Sequence, residues 1–318
     1  MNDLDKQRED LSFFIRRVRK MFRFFSLLHY RGAIRSIIPH VIKFVNSSYT
    51  LPDFIHLKTF IENRYGLEIG GPTSLFKLNG LLPLYPLVTG IDNCLYSSKT
   101  LWWTSEDDTE KNAIFKDIII SEASNLFTIS NEKYDFVISS HMIEHLSNPI
   151  KALLEMKRVV KKGGAIIIIA PHKDITFDNQ RSITPLDHMV SDLKKDIEEG
   201  SIDHLDLNEI YRTYDFILDS GIKNKDEFKE RTLKNTEIRA LHQHVFNTET
   251  ILEIVDYAKI KIVFVNTNPI YGILVIGQRV EDYNTFVQSN KSFISNKANW
   301  RKHSVFDSDK AFKNKENN

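Results

Sequence analysis

Apolar runs alternate with amphipathic stretches from residue 65 to residue 280, and this alternation is typical of an α/β protein. The runs at 135–139 and 165–170 are continuously apolar, as expected for strands that are buried on both faces of a parallel sheet. The pattern therefore predicts a Rossmann-like, doubly wound and mostly parallel sheet. Its first five strands are predicted at 66–70, 86–92, 117–120, 135–139 and 165–170.

One helix is predicted between the fourth and fifth strands. Ser147 or Asn148 is placed to cap this helix, and Pro149 suits its first turn. Gly163 and Gly164 are expected to end it, because glycine is a poor helix former and a common residue after a helix.

The last part of the predicted sheet has a different connection. A helix capped by Thr248 is followed by strand patterns at 261–268 and 271–280. Only Pro269 and Ile270 join these strands, and so short a link requires an antiparallel pair, because parallel strands need a long crossover. The sheet is therefore expected to close with a C-terminal antiparallel hairpin.

Charge divides the rest of the chain. Between Leu11 and Pro52 there are basic residues and no acid, and the first part of this segment places an apolar stripe opposite a basic face. Residues 11–45 are expected either to lie on an anionic membrane surface or to pack on the core with the basic face in solvent. The predicted domains are a basic amphipathic helical arm at 1–60, a core at 61–171 and 247–281, an acceptor-binding insertion at 172–246, and a polar, partly disordered tail at 282–318.

Composition excludes several classes of protein. The net charge of +1 gives no reason to expect a nucleic-acid partner, and the single cysteine, Cys94, rules out an intrachain disulfide. No run of apolar residues is long enough to span a bilayer, and the first ten residues are too polar for a secretory signal. We expect a cytoplasmic protein, with the arm at the inner membrane surface as one alternative.

The most informative motif is Leu-Glu-Ile-Gly-Gly-Pro at 67–72. An apolar strand that ends in an acid and two glycines lets the backbone pass close to a ligand, because glycine has no Cβ. Asp92 is predicted to end the second strand, where its carboxylate could accept both hydroxyls of a ribose. Together these features indicate a nucleoside site at the carboxyl edge of the sheet.

With the terminal hairpin, these motifs resemble the class I S-adenosylmethionine-dependent methyltransferases over residues 65–171 and 247–280. The resemblance implies S-adenosylmethionine as the cofactor. The residues that it assigns to the cofactor are Glu68, Gly70, Gly71, Pro72, Asp92, Glu122, Ala123 and Ser140. The family usually has a further glycine where this chain has Pro72, so the loop offers one donor fewer to the cofactor. A dinucleotide-dependent dehydrogenase is a weaker rival, because its third glycine position is Leu75 here.

A narrower resemblance concerns a subgroup of bacterial methyltransferases that is associated with cell-surface polysaccharide synthesis. It rests on the Thr-Phe-Asp-x-x-Arg run at 176–181 and the His-x-His-x-Phe segment at 242–246. It implies O-methylation of a sugar in a surface glycan or its precursor. Two alternatives stay open: a small-molecule or amino-sugar N-methyltransferase, and a non-catalytic partner of glycan-synthesis enzymes.

A sugar hydroxyl needs a general base, and histidine has the pKa range for that task. The candidate bases are, in order, His172, His141 and His242. The residues of the insertion that are expected to contact the acceptor are Asp174, Asp178, Arg181, His188 and His244. For Asp174, His188 and His244, the alternative is an exposed polar side chain without a role in binding. Arg181 could also meet a phosphate of the substrate. A His-x-His with a nearby aspartate could hold a metal, but no tight ligand spacing supports one, and we assign no metal.

Overall fold

The computed structural model describes residues 52–101, 114–216, 218–219, 221–222 and 224–310. Within these residues one sheet has the strand order β3-β2-β1-β4-β5-β7-β6. Its first five members in the chain pair in parallel, and β7 is antiparallel to both of its neighbours. The strands are β1 Tyr65–Ile69, β2 Gly90–Leu95, β3 Ile118–Ile120, β4 Tyr134–Ser140, β5 Val160–Ala170, β6 Lys261–Asn268 and β7 Gly272–Gln278. The predicted Rossmann-like sheet with a C-terminal antiparallel hairpin is confirmed.

Helices of the described residues lie before the sheet, between its strands and after it. They are α1 Pro52–Ile61, α2 Pro149–Val159, α3 Leu186–Lys195, α4 Leu207–Thr213, α5 Lys225–Leu233, α6 Asn235–Ile238, α7 Thr248–Tyr257, α8 Val287–Ile294, α9 Asn299–His303 and α10 Asp307–Lys310. No helix in this part of the chain has the length and apolar character needed to cross a membrane.

Both faces of the sheet are buried, because neighbouring residues of a strand point to opposite faces. Phe136 and Ile138 of β4 belong to a core on one face, which also contains Leu57 and Ile61 of α1. Val137 belongs to the core on the other face, where α2 and α7 supply apolar side chains. This arrangement explains why the sequence of β4 is apolar without alternation.

The second strand begins later than predicted. Tyr85–Leu87 forms a 3-10 turn, and β2 starts at Gly90. Pro86 lies inside the turn, and proline cannot donate a backbone hydrogen bond to a strand ladder. Asp92 is consequently the third residue of β2 and not its last residue, so the prediction that it ends the strand is wrong.

The two glycines after α2 do not end that helix. The helix stops at Val159, and Gly163 and Gly164 lie inside β5. Gly163 donates to the Arg279 carbonyl at 2.9 Å, and a Cβ on Gly164 would lie 2.5 Å from the Asp135 carbonyl oxygen. Glycine is therefore needed here by close strand packing. Asn148 does cap α2, since its side chain accepts from the Lys151 backbone N–H at 3.2 Å.

The cap of α7 lies one residue earlier than predicted. Asn247, not Thr248, is the N-cap, and its side chain accepts from the Thr250 backbone N–H at 2.9 Å. Thr250 in turn accepts from the Asn247 backbone N–H at 3.2 Å, which completes a capping box.

The insertion at 172–246 contains α3, α4, α5 and α6 and a small apolar core of its own. That core is formed by Ile210, Tyr214, Ile222, Phe228 and Leu241. The segment leaves β5 at its carboxyl end and returns to α7, so it lies against the edge of the sheet where β1 and β4 also end.

Residues 282–310 form α8, α9 and α10 instead of the predicted polar tail. Trp300 and Phe306 are buried, and Asp309 is buried as well. The Asp309 carboxylate accepts from the hydroxyls of Thr248 at 2.7 Å and Ser304 at 2.6 Å. The segment is therefore part of the folded core. Residues 311–318 of the predicted tail, and residues 1–51 of the predicted arm, lie outside the described residues.

Candidate active site

The loop after β1 is shaped by a buried carboxylate. Gly70 has a φ of +87°, which lets the chain turn sharply at the strand end. Glu68 points back under the loop, where it accepts from the hydroxyls of Thr73 at 2.6 Å and Tyr85 at 2.7 Å. Burial raises the pKa of Glu68 to about 7, although both hydrogen bonds lower it in part. Glu68 therefore supports the loop from within. It lines neither of the cavities described below, so the structure does not support its predicted contact with the cofactor.

Asn93 holds the same loop from β2. Its amide accepts from the Gly71 backbone N–H at 3.1 Å and donates to the Gly71 carbonyl at 2.8 Å. Gly70 donates to the Cys94 carbonyl at 2.9 Å, and Thr73 donates to the Tyr85 hydroxyl at 2.8 Å. The loop thus uses the N–H groups of residues 70, 71 and 73 internally. These three N–H groups are therefore not free to donate to a ligand, and the loop contributes mainly to the shape of the site.

A cavity of about 430 Å³ lies over this loop, and we refer to it as the glycine-loop cavity. Its volume lies in the usual range for small-molecule and cofactor sites. Its lining consists of residues 69–75, 94–96, 121–123 and 140–142 with Thr100, His145, Leu146, Arg239, Ile270 and Tyr271. The predicted cofactor residues Gly70, Gly71, Pro72, Glu122, Ala123 and Ser140 are all in this lining.

Asp92 is not part of that lining. It is fully buried, and its carboxylate accepts from the Tyr65 hydroxyl at 2.5 Å, the Tyr134 hydroxyl at 2.8 Å and the Lys133 ammonium at 3.0 Å. Burial raises its pKa, but these three donors outweigh that effect and lower it overall. The position of Asp92 two residues inside β2 gives its carboxylate to these partners, so the predicted ribose contact is not available in this arrangement.

Tyr96 and Arg239 were not predicted, and both line the glycine-loop cavity. The Arg239 guanidinium lies 5.4 Å from the centre of the Tyr96 ring and 2.8 Å from Glu122 Oε1. The Tyr96 hydroxyl donates to the Ile238 carbonyl at 3.1 Å. A carboxylate, a guanidinium and an aromatic ring are therefore neighbours in the lining of this cavity, and such groups can bind a nucleobase by stacking and hydrogen bonds.

A second cavity, of about 710 Å³, lies between the end of β4 and the insertion, and we refer to it as the insertion cavity. Its lining consists of Leu101, His141, Glu144, His145, Phe177, Asp219, Gly221, Ile222, Glu227, Glu230, Arg231, Lys234, Ile238, Ala240 and His242. His141 and His145 line both cavities, so the two spaces meet at this pair.

His141 is an exposed residue with a φ of +50°, which is uncommon for a side chain with a Cβ. Its Nε2 lies 3.1 Å from the Tyr271 carbonyl oxygen, so this nitrogen carries the proton of the neutral ring. Tyr271 belongs to the glycine-loop cavity, and its hydroxyl donates to Asp53 at the start of α1.

His242 of the insertion cavity is paired with a buried carboxylate. Its Nδ1 lies 2.6 Å from Asp178 Oδ2, and both residues are buried. The carboxylate can only accept, so Nδ1 carries the proton and Nε2 holds the free lone pair of the neutral ring. Burial lowers the pKa of His242, but the charge and hydrogen bond of Asp178 outweigh it and raise the pKa above its ordinary value.

His145 and Glu144 also line the insertion cavity, next to His242. The His145 ring lies 4.8 Å from the His242 ring, and its Nδ1 lies 3.2 Å from the Leu241 carbonyl oxygen. Burial, followed by the neighbouring His242, holds the pKa of His145 well below its usual range, so this ring is neutral. Glu144 is buried, and its Oε2 has no hydrogen-bond partner among the described residues. Burial raises the pKa of Glu144.

Arg181 does not point toward a substrate. Its guanidinium is buried and donates to the carbonyls of His242 at 2.6 Å and Gln243 at 2.7 Å. Its nearest carboxylate contact is Asp178 Oδ1 at 3.8 Å. The predicted role of Arg181 in meeting a phosphate is thus replaced by a structural one, since it fixes the backbone that carries His242.

His172 and Asp174 lie outside the lining of both cavities. The His172 ring stacks on Phe306 at 3.9 Å, and its Nε2 lies 3.2 Å from Asp309 Oδ1. Asp174 accepts from the Ser308 hydroxyl at 2.8 Å. The predicted first-choice base is therefore fully buried against the C-terminal helices. It cannot meet a substrate in this arrangement.

His188 and His244 are also absent from both linings, and they lie beside Asp192 and His204 in the insertion. The candidate site therefore keeps two of the three predicted bases, His141 and His242, and one of the five predicted acceptor residues, Asp178, as the partner of His242. Glu144 and His145 could also have been predicted as site residues, because they belong to the same His-Met-Ile-Glu-His segment at 141–145 as His141. Tyr96 and Arg239 carried no comparable signal.

Residues 68–168 match the family model described as a methyltransferase domain. An uncharacterized protein from Methanocaldococcus jannaschii is 32% identical over 112 residues, which are 35% of this chain and 47% of that protein. The chain thus spans about half the length of this curated relative.

Among solved structures, a SAM-dependent methyltransferase from Aquifex aeolicus is similar with 16% identity and a TM-score of 0.41, covering 72% of this chain and 88% of the other. A possible histamine N-methyltransferase from Thermotoga maritima has 15% identity and a TM-score of 0.40, covering 79% and 97%. The residues that match the family model, 68–168, include the glycine loop and much of the lining of the glycine-loop cavity.

Proposed function

We propose that this protein is an S-adenosylmethionine-dependent methyltransferase that methylates a hydroxyl of a sugar in a surface glycan or its lipid- or nucleotide-linked precursor. The observation that carries the proposal is the hydrogen-bonded pair of His242 and Asp178 on the wall of the insertion cavity, next to the His141 and His145 junction. A hydroxyl is a poor nucleophile at neutral pH, so its methylation needs a base of this kind.

The glycine-loop cavity fits the cofactor in size and in the chemistry of its walls. Gly70 and Ala123 are small residues of its lining, and Tyr96 with Glu122 would hold the adenine end. When bound, the cofactor supplies a methyl group that is already activated on a sulfonium. The protein's task is then to place the acceptor in line with that group, and such positioning can contribute about 7–11 kcal/mol.

His242 is the proposed general base. Asp178 holds the proton on Nδ1, which leaves Nε2 to take the proton of the acceptor hydroxyl. As that proton is transferred, the imidazole becomes positively charged, and the Asp178 carboxylate stabilises the charge. The neutral His145 beside it adds no competing positive charge.

Glu144 is the proposed acceptor-binding group. Its Oε2 faces a lining that supplies no protein donor among the described residues, and a buried carboxylate oxygen without a donor costs free energy. A sugar hydroxyl would supply that donor. An amine would do so as well, so Glu144 alone does not separate a sugar from an amino sugar. The glycan class is supported by the resemblance of segments 176–181 and 242–246 to the polysaccharide-associated subgroup.

Calorimetric titration with S-adenosylmethionine tests the cofactor site. We expect binding near the micromolar range, about −8 kcal/mol, for the native chain. Ala123→Phe fills the lining of the glycine-loop cavity and should abolish the heat of binding, whereas Phe127→Ala, at an exposed position four residues on, should bind normally. Equal binding by both variants would place the cofactor elsewhere. No binding by the native chain, with or without glycan precursors, would favour a non-catalytic partner protein.

A methyl-transfer screen separates the substrate classes. The donor is S-adenosylmethionine with a labelled methyl group, and the acceptors are sugar nucleotides, lipid-linked sugars and small amines. For a hydroxyl acceptor, His242→Gln should reduce turnover by about 10²–10⁴-fold, the usual contribution of a general base. For an amine acceptor the loss should be much smaller, because a neutral amine is already nucleophilic. Amine turnover that His242→Gln leaves intact would replace the proposal with the N-methyltransferase alternative.

We also propose that residues 11–45 bring the enzyme to an anionic membrane surface, where lipid-linked precursors are made. The support is the sequence itself, in which basic residues face an apolar stripe and no acid occurs. Sedimentation with anionic and neutral vesicles tests this role. The intact chain should sediment with anionic vesicles only, and deletion of residues 1–45 should abolish that sedimentation. Unchanged sedimentation of the deletion variant would rule the role out.

A further inference from the structure

Three histidines and one aspartate meet inside the insertion, away from both cavities. His188 and Asp192 are four residues apart on α3 and therefore share one face of that helix. His204 comes from the connection to α4, and His244 comes from the segment before α7. The three ring centres form a nearly equilateral triangle with sides of 5.7, 5.6 and 5.7 Å. We call these four residues the His–Asp cluster.

The polar atoms of the His–Asp cluster are close together but are not aligned for hydrogen bonds. Asp192 Oδ2 lies 3.2 Å from His188 Nε2, and Asp192 Oδ1 lies 3.3 Å from His204 Nδ1. His244 Nε2 lies 3.8 Å from Asp192 Oδ2. Nevertheless His188 Nε2, Asp192 Oδ2 and His204 Nδ1 have no hydrogen-bond partner among the described residues. Asp192 is only 2% exposed, so solvent does not satisfy its oxygen.

The tautomer of His204 makes this arrangement more unusual. Its Nε2 lies 2.8 Å from Gln243 Oε1, which also accepts from the Ser147 hydroxyl at 3.0 Å. The other end of the Gln243 amide donates to the His145 carbonyl at 3.0 Å, so Oε1 is the acceptor and His204 Nε2 is the donor. In the neutral ring, the lone pair of Nδ1 therefore faces the Asp192 carboxylate, which also has only lone pairs to offer. Only the protonated ring could donate from Nδ1 to Asp192.

We propose that His188, Asp192 and His204 bind a divalent transition-metal ion, with His244 facing the fourth position. In a tetrahedral site with bonds of about 2.0–2.1 Å, ligand atoms lie roughly 3.3 Å apart. The distances of 3.2 Å from His188 Nε2 to Asp192 Oδ2 and 3.3 Å from His204 Nδ1 to Asp192 Oδ1 are close to this value, with each histidine facing a different oxygen of the carboxylate. The three ligand atoms lie within 4.8 Å of one another. Imidazole with one carboxylate suits zinc, and the second nitrogen of His204 has the outer hydrogen bond that metal-bound histidines usually make.

The ion would join three separate segments of the insertion. It would connect α3, the connection to α4 and the segment at 242–246. That last segment also carries His242, whose carbonyl is held by Arg181. The site is structural, because none of its ligands lines either cavity. Its side toward His188 is open enough for an ion to enter, since that side chain is 34% exposed.

Metal analysis of untagged protein from zinc-supplemented cells tests the site. We expect about one zinc ion per chain, loss of the ion in Asp192→Asn, and full retention in His303→Gln, which changes an exposed histidine outside the cluster. Glu144→Gln is the second control, because Glu144, His145 and His242 also lie close enough to share an ion. Full metal in Asp192→Asn, or loss in Glu144→Gln instead, would overturn the assignment.

A second measurement needs no cluster variant and therefore no assumption that such a variant folds. Native protein is treated with a chelator, and its thermal unfolding is followed before and after addition of zinc or cobalt alone. We expect the melting temperature to fall and then to recover, and the cobalt form to show the strong visible absorption of a tetrahedral site. No bound metal and no metal-dependent melting would mean that the cluster shares protons and not an ion. Neither readout depends on methyl transfer, so this outcome is separate from the fate of the proposed function.

Discussion

Asp178→Asn is the sharpest test of the proposed base. Asparagine has nearly the same shape, so the buried contact with His242 can persist, but the negative charge 2.6 Å from Nδ1 is removed. Two effects follow. The charge no longer raises the pKa of His242, and it no longer stabilises the imidazolium that forms when the acceptor loses its proton.

The expected size follows from the hydrogen bond. A hydrogen bond to a charged group contributes about 1.5–3 kcal/mol, and each 1.36 kcal/mol in the barrier changes a rate tenfold. Asp178→Asn should therefore lower the plateau of kcat/KM by about 10- to 150-fold. The base acts only when neutral, so activity rises with pH through its pKa. Because the native pKa is raised, the acidic limb of the native profile should lie above pH 6.5, the ordinary value for histidine, and the variant's limb should move to lower pH.

The assay is labelled-methyl transfer to the best acceptor of the screen, measured as kcat/KM from pH 5 to pH 9. In parallel, NMR of histidine-labelled protein reports the ionisation of His242 directly, and its signal is assigned by its loss in His242→Gln. An unchanged acidic limb, together with an unchanged plateau in a folded Asp178→Asn variant, would refute the role of His242 as the base.

Three further results are expected. Gly71→Ala places a Cβ 2.3 Å from the Glu68 carboxyl carbon, so it should weaken cofactor binding and destabilise the fold by about 1–3 kcal/mol; native calorimetry would contradict this. His172→Gln should lower the free energy of unfolding by about 1–3 kcal/mol but leave kcat within threefold, and a hundredfold loss of kcat would restore His172 as a base. The pKa of Glu68 is raised to about 7 in the folded protein, so the free energy of unfolding of the native protein should fall by about 3 kcal/mol more than that of Glu68→Gln between pH 4.5 and pH 7. Urea unfolding measures both values, and an equal change with pH in the two proteins would disprove this expectation.

Much of the fold could be predicted because buried positions are apolar, and their spacing along the sequence indicates strands and helices. Strands such as β4 are apolar at every position, since both faces of the sheet are covered. Only three residues link the end of β6 at Asn268 to the start of β7 at Gly272, and so short a link permits only an antiparallel pair. The predicted start of β2 was too early because the residues before Gly90 are apolar too. Tyr85, Leu87 and Val88 are only partly buried against the core, and Tyr85–Leu87 forms a 3-10 turn.

The sequence could predict only those residues of the site that lie at the carboxyl ends of the strands. Gly70, Ser140 and His141 lie where parallel strands stop, so their meeting follows from topology. The roles of His172 and Arg181 could not be inferred, because their partners are Asp309 and the carbonyls of residues 242–243, which lie far along the chain. Nothing local in the sequence records such tertiary contacts. The side chains looked available for catalysis, but the fold uses them as supports.

The contact between His172 and Asp309 also has a consequence for the order in which the chain is made. The two residues are 137 positions apart, and Asp309 also supplies the buried partner of Thr248. At about 5–20 residues per second, a ribosome needs roughly 7–27 seconds to proceed from the imidazole to its carboxylate. During that interval the sheet can already assemble, whereas the side chains of His172 and Thr248 still lack the Asp309 carboxylate. The growing chain therefore passes through a state in which the surface at His172, next to β5, is not yet covered by Phe306 and Asp309. We expect chaperones to bind the chain at this uncovered surface.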